Sequence, residues 1–323
     1  MTDEGFRPLK YRPRPSTLQP VTGNNFTYST TYFSGSWQGD VEARLINVTT
    51  GAPGAAVWSA KSLLDARTFA ACDDRKILLF RGGATLVPFT WETQMCPGGT
   101  PSGTPVTNLN GTEQALVGAA GVMALTHYAT MTDGSLGTVQ QQLEAKKDGK
   151  LVNFLRGQRG NEDFTSNSLT QLFRKREAVL GDIVDSQPVY VGQPFANYQE
   201  HNYTAFKTTP RTPMLYVGAN DGMLHAFYAT VNLLDINRGQ EAWAVIPSAV
   251  LPNLYKLADD NYKRDGHQFY VDGTPVAGDV WNGTAWRTNV VGGLNAGGKG
   301  YYALGITAQA SRPWLASSRF TVA

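Results

Sequence analysis

The chain has 323 residues, of which 17% are charged, with a net charge of +2, against a usual charged share of ~25%. That length supports a buried core, and the near-neutral balance gives no electrostatic reason to expect nucleic acid as a partner. No stretch is long and apolar enough to span a membrane, and the start, MTDEGFRPLKYRPRP, lacks the apolar centre of an export signal. The sequence at that end fits either a cytoplasmic protein or one whose true N-terminus is missing.

With 34 Gly, 17 Pro and 11% aromatic residues, short strands joined by turns are expected rather than helices. Residues 1–23 form a Pro-rich basic arm (Arg7, Pro8, Lys10, Arg12, Pro13) that is expected to be extended or disordered. From Asn24 to Trp91 the pattern is strand-like: Val41, Ala43 and Leu45 share one face of SWQGDVEARLINV, and KILLFRGG and LVPFTW follow in the same style. CPGGTPSGTPVTNLNGT (96–112) reads as a long loop. A helical insert is expected over about 113–157, with 137–157 its clearest helix. Cys72 and Cys96 fit one disulfide or two unpaired thiols, and two cysteines do not fix the compartment.

The second half carries an internal repeat. DSQPVYVG (185–192) is echoed by DGTPVAGDV (272–280), and LYVGANDGMLHAF (215–227) by VVGGLNAGGKGYYAL (290–304). Each copy reads strand, loop, strand, tight turn, strand, and the first continues into EAWAVIPSAV (241–250) as a fourth strand. Asp221–Gly222 is a strong hairpin signal, because both turn positions of such a loop favour positive φ. Repeated four-strand units are the organisation of a β-propeller. The copies start at residues 185 and 272, wider apart than the roughly 40–45 residues of compact repeats. Loops at 193–212 and 250–271 absorb the excess, and loops of this kind carry function.

These runs, together with LRGQRGNE (155–162), FRKREAVLGDIVDSQPVYVG (173–192), WAVIPSAVLPNLYKLAD (243–259) and FYVDGTPVAGDVW (269–281), resemble the C-terminal propeller of PilC/PilY-type proteins of type IV pili. The resemblance is specific over 151–308 and weaker upstream. It implies an all-β fold, a partial β-propeller of four-stranded blades with a short helical insert, occupying 24–323, with clear blades from about 181 and incomplete at its C-terminal end. It further implies a non-enzymatic factor of pilus assembly and adhesion, placed at the cell surface, pilus tip or outer membrane, with pilins, pilus tip components and host or abiotic surfaces as partners. Calcium is a cofactor of many relatives. Here the nearest acidic run, Asp259-Asp260-Asn261 with Asp265-Gly266, is interrupted by Tyr, Lys and Arg, so no metal ligands are assigned. The alternatives are a quinone-dependent propeller dehydrogenase and a non-functional fragment of a split pilus gene.

No catalytic set emerges. GLNAGGKG (293–300) approximates a phosphate-binding loop, but Gly300 replaces the hydroxyl and a strand follows, so it reads as a hairpin turn. His225 is expected to pack in a strand, and Asp182, Asp185, Asp272 and Asp279 to accept bonds near strand ends. Arg156, Arg159, Arg174, Lys175 and Arg176 are expected at a helix end, where cations are favoured. Tyr198, Tyr203, Phe206 and Tyr255 lie in the long loops and are the candidate protein-binding residues.

Overall fold

The computed structural model describes residues 14–15, 19–21, 24–81, 85–129, 136–164, 168–308 and 314–315. Of the N-terminal arm, β1 (Arg14–Pro15) and β2 (Gln19–Val21) are extended and pair along β3 (Asn24–Phe33); its other residues lie outside the described residues. β3 pairs antiparallel with β4 (Gln38–Ile46), and β4 with β5 (Pro53–Ser59). Val41 and Ala43 are fully buried, but Leu45 is 46% exposed. The β3–β4 register is continuous through Leu45, so it shares the face of Val41 and Ala43 but lies at the exposed end of the strand. α1 (Ala60–Ala66) starts at Ser59, whose hydroxyl accepts from the Ser62 amide at 3.2 Å.

β6 (Ile77–Phe80) and β7 (Leu86–Pro88) fall where strands are expected. β8 (Thr93–Met95) pairs with β9 (Ser102–Val106), which lies inside the segment expected to be a long loop. All five residues of β9 are exposed, so no alternation of apolar residues marks it. Cys72 and Cys96 are joined in a disulfide, with Cα atoms 5.6 Å apart. The helical insert comprises α2 (Gly111–Val117), α3 (Ala119–Met123), α4 (Thr126–Ala129), α5 (Leu136–Ala145) and α6 (Lys150–Leu155). The single helix expected over 137–157 is broken in two at Asp148 (φ 48°) and Gly149 (φ 65°). A Cβ on Gly149 would strike the Trp91 carbonyl, so glycine is required there by both backbone and neighbour.

The first repeat forms β10 (Val189–Val191), β11 (Met214–Ala219), β12 (Met223–Tyr228) and β13 (Glu241–Pro247), with α7 (Tyr203–Thr208) in the loop after β10. These four antiparallel strands belong to a six-stranded sheet, β10-β11-β12-β13-β6-β7, because β6 joins β13 in parallel. The second repeat forms β14 (Val276–Trp281), β15 (Trp286–Gly293), β16 (Tyr301–Gly305) and β17 (Trp314–Leu315), an antiparallel four-stranded sheet. The four strands expected of the first copy are extended by two upstream strands, and the three expected of the second are joined by β17, from the tail at 314–315 beyond the repeat. Among the described residues no sheet closes on itself.

Side-chain alternation sets the layering. Leu215, Val217 and Ala219 of β11 face the β3–β5 sheet with Tyr28, Val41, Ala43 and Trp58. Met214 and Tyr216 face the opposite way, into a core that includes Val290, Tyr302 and Leu304 of the last sheet. The middle sheet is thus covered on both sides, and its strands are correspondingly apolar: every residue of β11 is buried.

The turn between β11 and β12 is the tight turn expected from the sequence, but without positive φ at both positions of Asp221–Gly222. Asn220, Asp221 and Gly222 form a three-residue loop in which only Gly222 has positive φ (90°). The basic cluster also differs from expectation. Arg156 is 1% exposed and binds Asp73, Arg176 binds Glu162 and lies 3.8 Å over the Phe154 ring, and Arg159 reaches Asp65 at 2.8 Å. Arg174 is buried over Tyr262 and donates to the Leu257 carbonyl, while Lys175 remains largely exposed. Four of the five cations therefore tie segments together inside the fold. Arg156 does stand at the end of α6, but the carboxylates that hold it, Arg159 and Arg176 include groups far along the sequence, beyond the reach of local spacing.

Candidate protein-binding cleft

A cleft of about 390 Å³ lies between the two repeat sheets. Its walls are β10 on one side and Ala277–Asp279 of β14 on the other, each the terminal strand of its sheet. These strands are the corresponding segments of the two repeats, DSQPVYVG and DGTPVAGDV. Gly278 lies at the wall with nothing within 4 Å of the position its Cβ would take.

The floor is polar. Asp279 accepts from the Tyr203 hydroxyl at 2.5 Å and from the Thr288 hydroxyl at 2.6 Å. Arg211 donates to the Thr288 oxygen at 2.5 Å and packs 4.2 Å above the Phe206 ring. Burial pushes the Arg211 guanidinium below its ordinary pKa, with Asp279 pulling the other way. Among the described residues no carboxylate lies in ion-pair contact with Arg211. Asp279, singled out in the sequence only as a strand-end acceptor, is the anchor of this floor.

The rim is aromatic and held by an ordered loop. Gln193 donates its side-chain amide to the Lys207 and Thr209 carbonyls, and Lys207 in turn binds the Ala196 carbonyl and Asn197 Oδ1. Held in this way, the loop projects Phe195, 84% exposed, beside Tyr198, 45% exposed. Tyr198 stacks on Trp286 with centroids 5.1 Å apart and planes 6° from parallel.

The four candidate loop aromatics divide. Tyr198 is exposed at the rim. Tyr203 is only 1% exposed and supports the floor from below, because its hydroxyl is bound to Asp279. Phe206 is half-buried beneath Arg211. Tyr255 is away from the cleft, half-buried against the helical insert, where a Cβ on Gly121 would meet it. Phe195 and Arg211 were not singled out in the sequence. The available signal was QPF and TPRTP, where prolines hold extended backbone beside an aromatic and a cation.

Elsewhere the singled-out groups are consumed by the fold. His225 is fully buried between Glu241, 2.8 Å from Nδ1, and Asp221, 3.1 Å from Nε2. Asp272 accepts from the Asp185 amide at 3.1 Å. GLNAGGKG is the connection between paired strands β15 and β16. Asp259, first of the acidic run considered for calcium, accepts from the Thr126 amide and hydroxyl and from the Asn261 amide, and Asp260–Lys263 is helical. That run does not present oxygen ligands on alternate residues and does not fit a calcium loop.

Residues 180–317 match the PilY1 beta-propeller domain. The chain is similar to a "Type IV pilus biogenesis factor PilY1 homolog" of Xylella fastidiosa, 34% identical over 87% of this chain and 18% of the relative. It is 33% identical to the "Type IV pilus biogenesis factor PilY1" of Pseudomonas aeruginosa strain PAK, over 87% of this chain and 21% of the relative. The chain thus spans about a fifth of the length of these relatives. The crystal structure of the Pseudomonas aeruginosa PilY1 C-terminal domain shares 38% identity over 39% of this chain and 24% of that one, with a TM-score of 0.28. Residues 180–317 belong to the PilY1 beta-propeller domain family.

Proposed function

We propose that this chain is the propeller portion of a type IV pilus biogenesis factor, a non-enzymatic module whose sheets hold loops for protein contact. The observation that carries this reading is the similarity to two proteins named as such factors across 87% of the chain. The cleft supports it: its polar floor is bonded internally, and its exposed groups are an aromatic rim and one cation, an arrangement suited to recognition. On this reading the partners are pilins or pilus tip components, the site of action is the cell surface at the pilus, and adhesion and twitching depend on it. Among the described residues no helix is long and apolar enough to cross a membrane.

The reading is tested by shearing pili from cells that express the tagged protein in its natural length and probing the sheared fraction. Recovery with the pilins supports it; exclusive recovery with cell bodies, with pilins in the sheared fraction, contradicts it.

A further inference from the structure

We infer that a small cavity lined by Trp37, Arg174 and Arg176 binds a single halide ion, which serves as the counter-ion of Arg174. This goes beyond the proposed function and stands whether or not that reading holds.

Arg174 is 6% exposed, yet among the described residues no carboxylate lies in ion-pair contact with it. Its side chain makes one hydrogen bond, from Nε to the Leu257 carbonyl at 2.5 Å, and its guanidinium lies 4.5 Å from the centre of the Tyr262 ring. The two Nη groups have no partner among the described residues. A buried charge left in this state is costly, and the ring face offsets only part of that cost. Arg176 lines the same cavity and is engaged by Glu162 and by the Phe154 and Gln158 carbonyls, so it adds positive charge nearby. Burial pushes both guanidiniums below their ordinary pKa, and for Arg174 the more distant Glu162 and Asp182 do not make up the difference.

The cavity sets the size and sign of the ligand. Its volume of about 20 Å³ holds one water-sized particle, which excludes phosphate, sulfate and carboxylate groups. Trp37 brings a second donor, because its Nε1 is buried without a partner among the described residues. Its φ of 50° is strained for so large a residue, and its ring stacks on His267 with centroids 3.6 Å apart, which fixes the indole in place. The other polar side chains of the wall are occupied. Asp221 faces His225 Nε2 at 3.1 Å and accepts from the Gly181 amide, and Asn220 is bonded to Asp182 and Tyr270. Asp182, whose Oδ1 also lacks a partner, does not line the cavity. The unspent side-chain groups of the wall are therefore donors, one of them charged. A water would accept from them and leave the charge uncompensated, whereas a halide ion does both. The ion would tie the β3–β4 turn, through Trp37, to the segment leading into β10, through Arg174.

The test uses the purified full chain, chloride-35 NMR line widths in a chloride titration with bromide as competitor, and melting curves in sodium chloride and sodium gluconate at equal ionic strength. The expected result is saturable line broadening that bromide relieves, and a higher melting temperature in chloride than in gluconate, since an ion bound only by the folded chain stabilises it. Arg174→Met, which keeps the stem and removes the charge, should weaken chloride binding on the order of tenfold or more and erase the difference between the two salts. Trp37→Phe, which keeps a ring against His267 and removes the N–H, should weaken it about threefold to tenfold, and keeps the test decisive if Arg174→Met does not fold. Lys175→Gln, at the exposed neighbouring cation, should change neither reading. Absence of saturable broadening, the result expected if water fills the cavity, would overturn the inference. So would broadening that survives in full in the Arg174 or the Trp37 variant, or a melting temperature that rises equally in gluconate, which is screening alone.

Discussion

Asn220 in the β11–β12 turn donates its side-chain amide to Asp182 Oδ2 at 2.7 Å, while its own side-chain oxygen accepts from the Tyr270 amide at 3.0 Å. One buried side chain therefore joins the turn of the first repeat, the segment leading into β10 and the segment leading into β14. The second repeat has the same tie: Asn295 donates to Asp272 at 3.3 Å. Asn220→Ala strands the Tyr270 amide, while Asp182 Oδ2 keeps His267 Nε2 at 3.0 Å, and should cost about 1–3 kcal/mol. The expected result is a clear fall in the urea midpoint, with a smaller fall for Asn295→Ala, whose tie is longer and less buried. Equal effects would argue against this account of the turn.

His225 predicts a pH dependence. Burial alone would lower its pKa, but the carboxylates of Asp221 and Glu241 outweigh burial and raise it to about 9. A folded-state pKa above the unfolded value of ~6.5 means that stability from this group is complete below pH 6.5 and lost as pH climbs through 9. The loss is on the order of 3 kcal/mol. Arg75, which grips Glu241 through two bonds of 2.9 Å, remains charged throughout this window and keeps Glu241 paired. Denaturant titrations at pH 6 and 9.5 should show this loss in the parent chain and a much smaller change in His225→Asn.

The Cys72–Cys96 disulfide closes a loop of 24 residues that carries the β8 strand and both β6 and β7. Chain-entropy arguments put its contribution at about 3 kcal/mol. Cys72→Ala with Cys96→Ala should lower stability by that order without altering strand content by circular dichroism. Indifference of the melt to dithiothreitol would remove this part of the account.

The outward face of the last sheet is apolar: Val276 is 69% exposed, Val280 47%, Val291 36% and Tyr301 74%. Register places Val276 opposite Val291, and Ala303 beside them on β16. With no layer over it among the described residues, and with β14 at its edge, the isolated chain is expected to self-associate. Light scattering should give a mass above the monomer that falls when Val276→Lys and Val280→Lys are introduced together. A monomeric parent chain contradicts the expectation.

The repeat made the strands of the second half legible, because each copy joins alternating or continuous apolar runs to a Gly-bearing turn at the same offset. The joining of β6 to β13 was not legible: KILLF reads as a strand, but nothing local says that its partner lies beyond residue 240. β9 was hidden by its exposed Ser, Thr, Gly and Pro residues, and the break at Asp148–Gly149 by the strong helix formers on its N-terminal side. Tyr198, Tyr203 and Phe206 share one long loop in the sequence, but the sequence does not say which of them points outward. That depends on Asp279, 76 positions away, which draws the Tyr203 hydroxyl inward. The buried arginines misled for the same reason, since Asp73 lies 83 positions from Arg156.

The most direct measurement of the central claim is complementation in a bacterium that carries this gene. The gene is deleted at its natural length, and surface pili are counted and twitching zones measured with and without the restored gene. A type IV pilus biogenesis factor predicts few or no surface pili and no twitching in the deletion strain, and recovery of both on restoration. Unchanged pilus number and twitching in the deletion strain would contradict it.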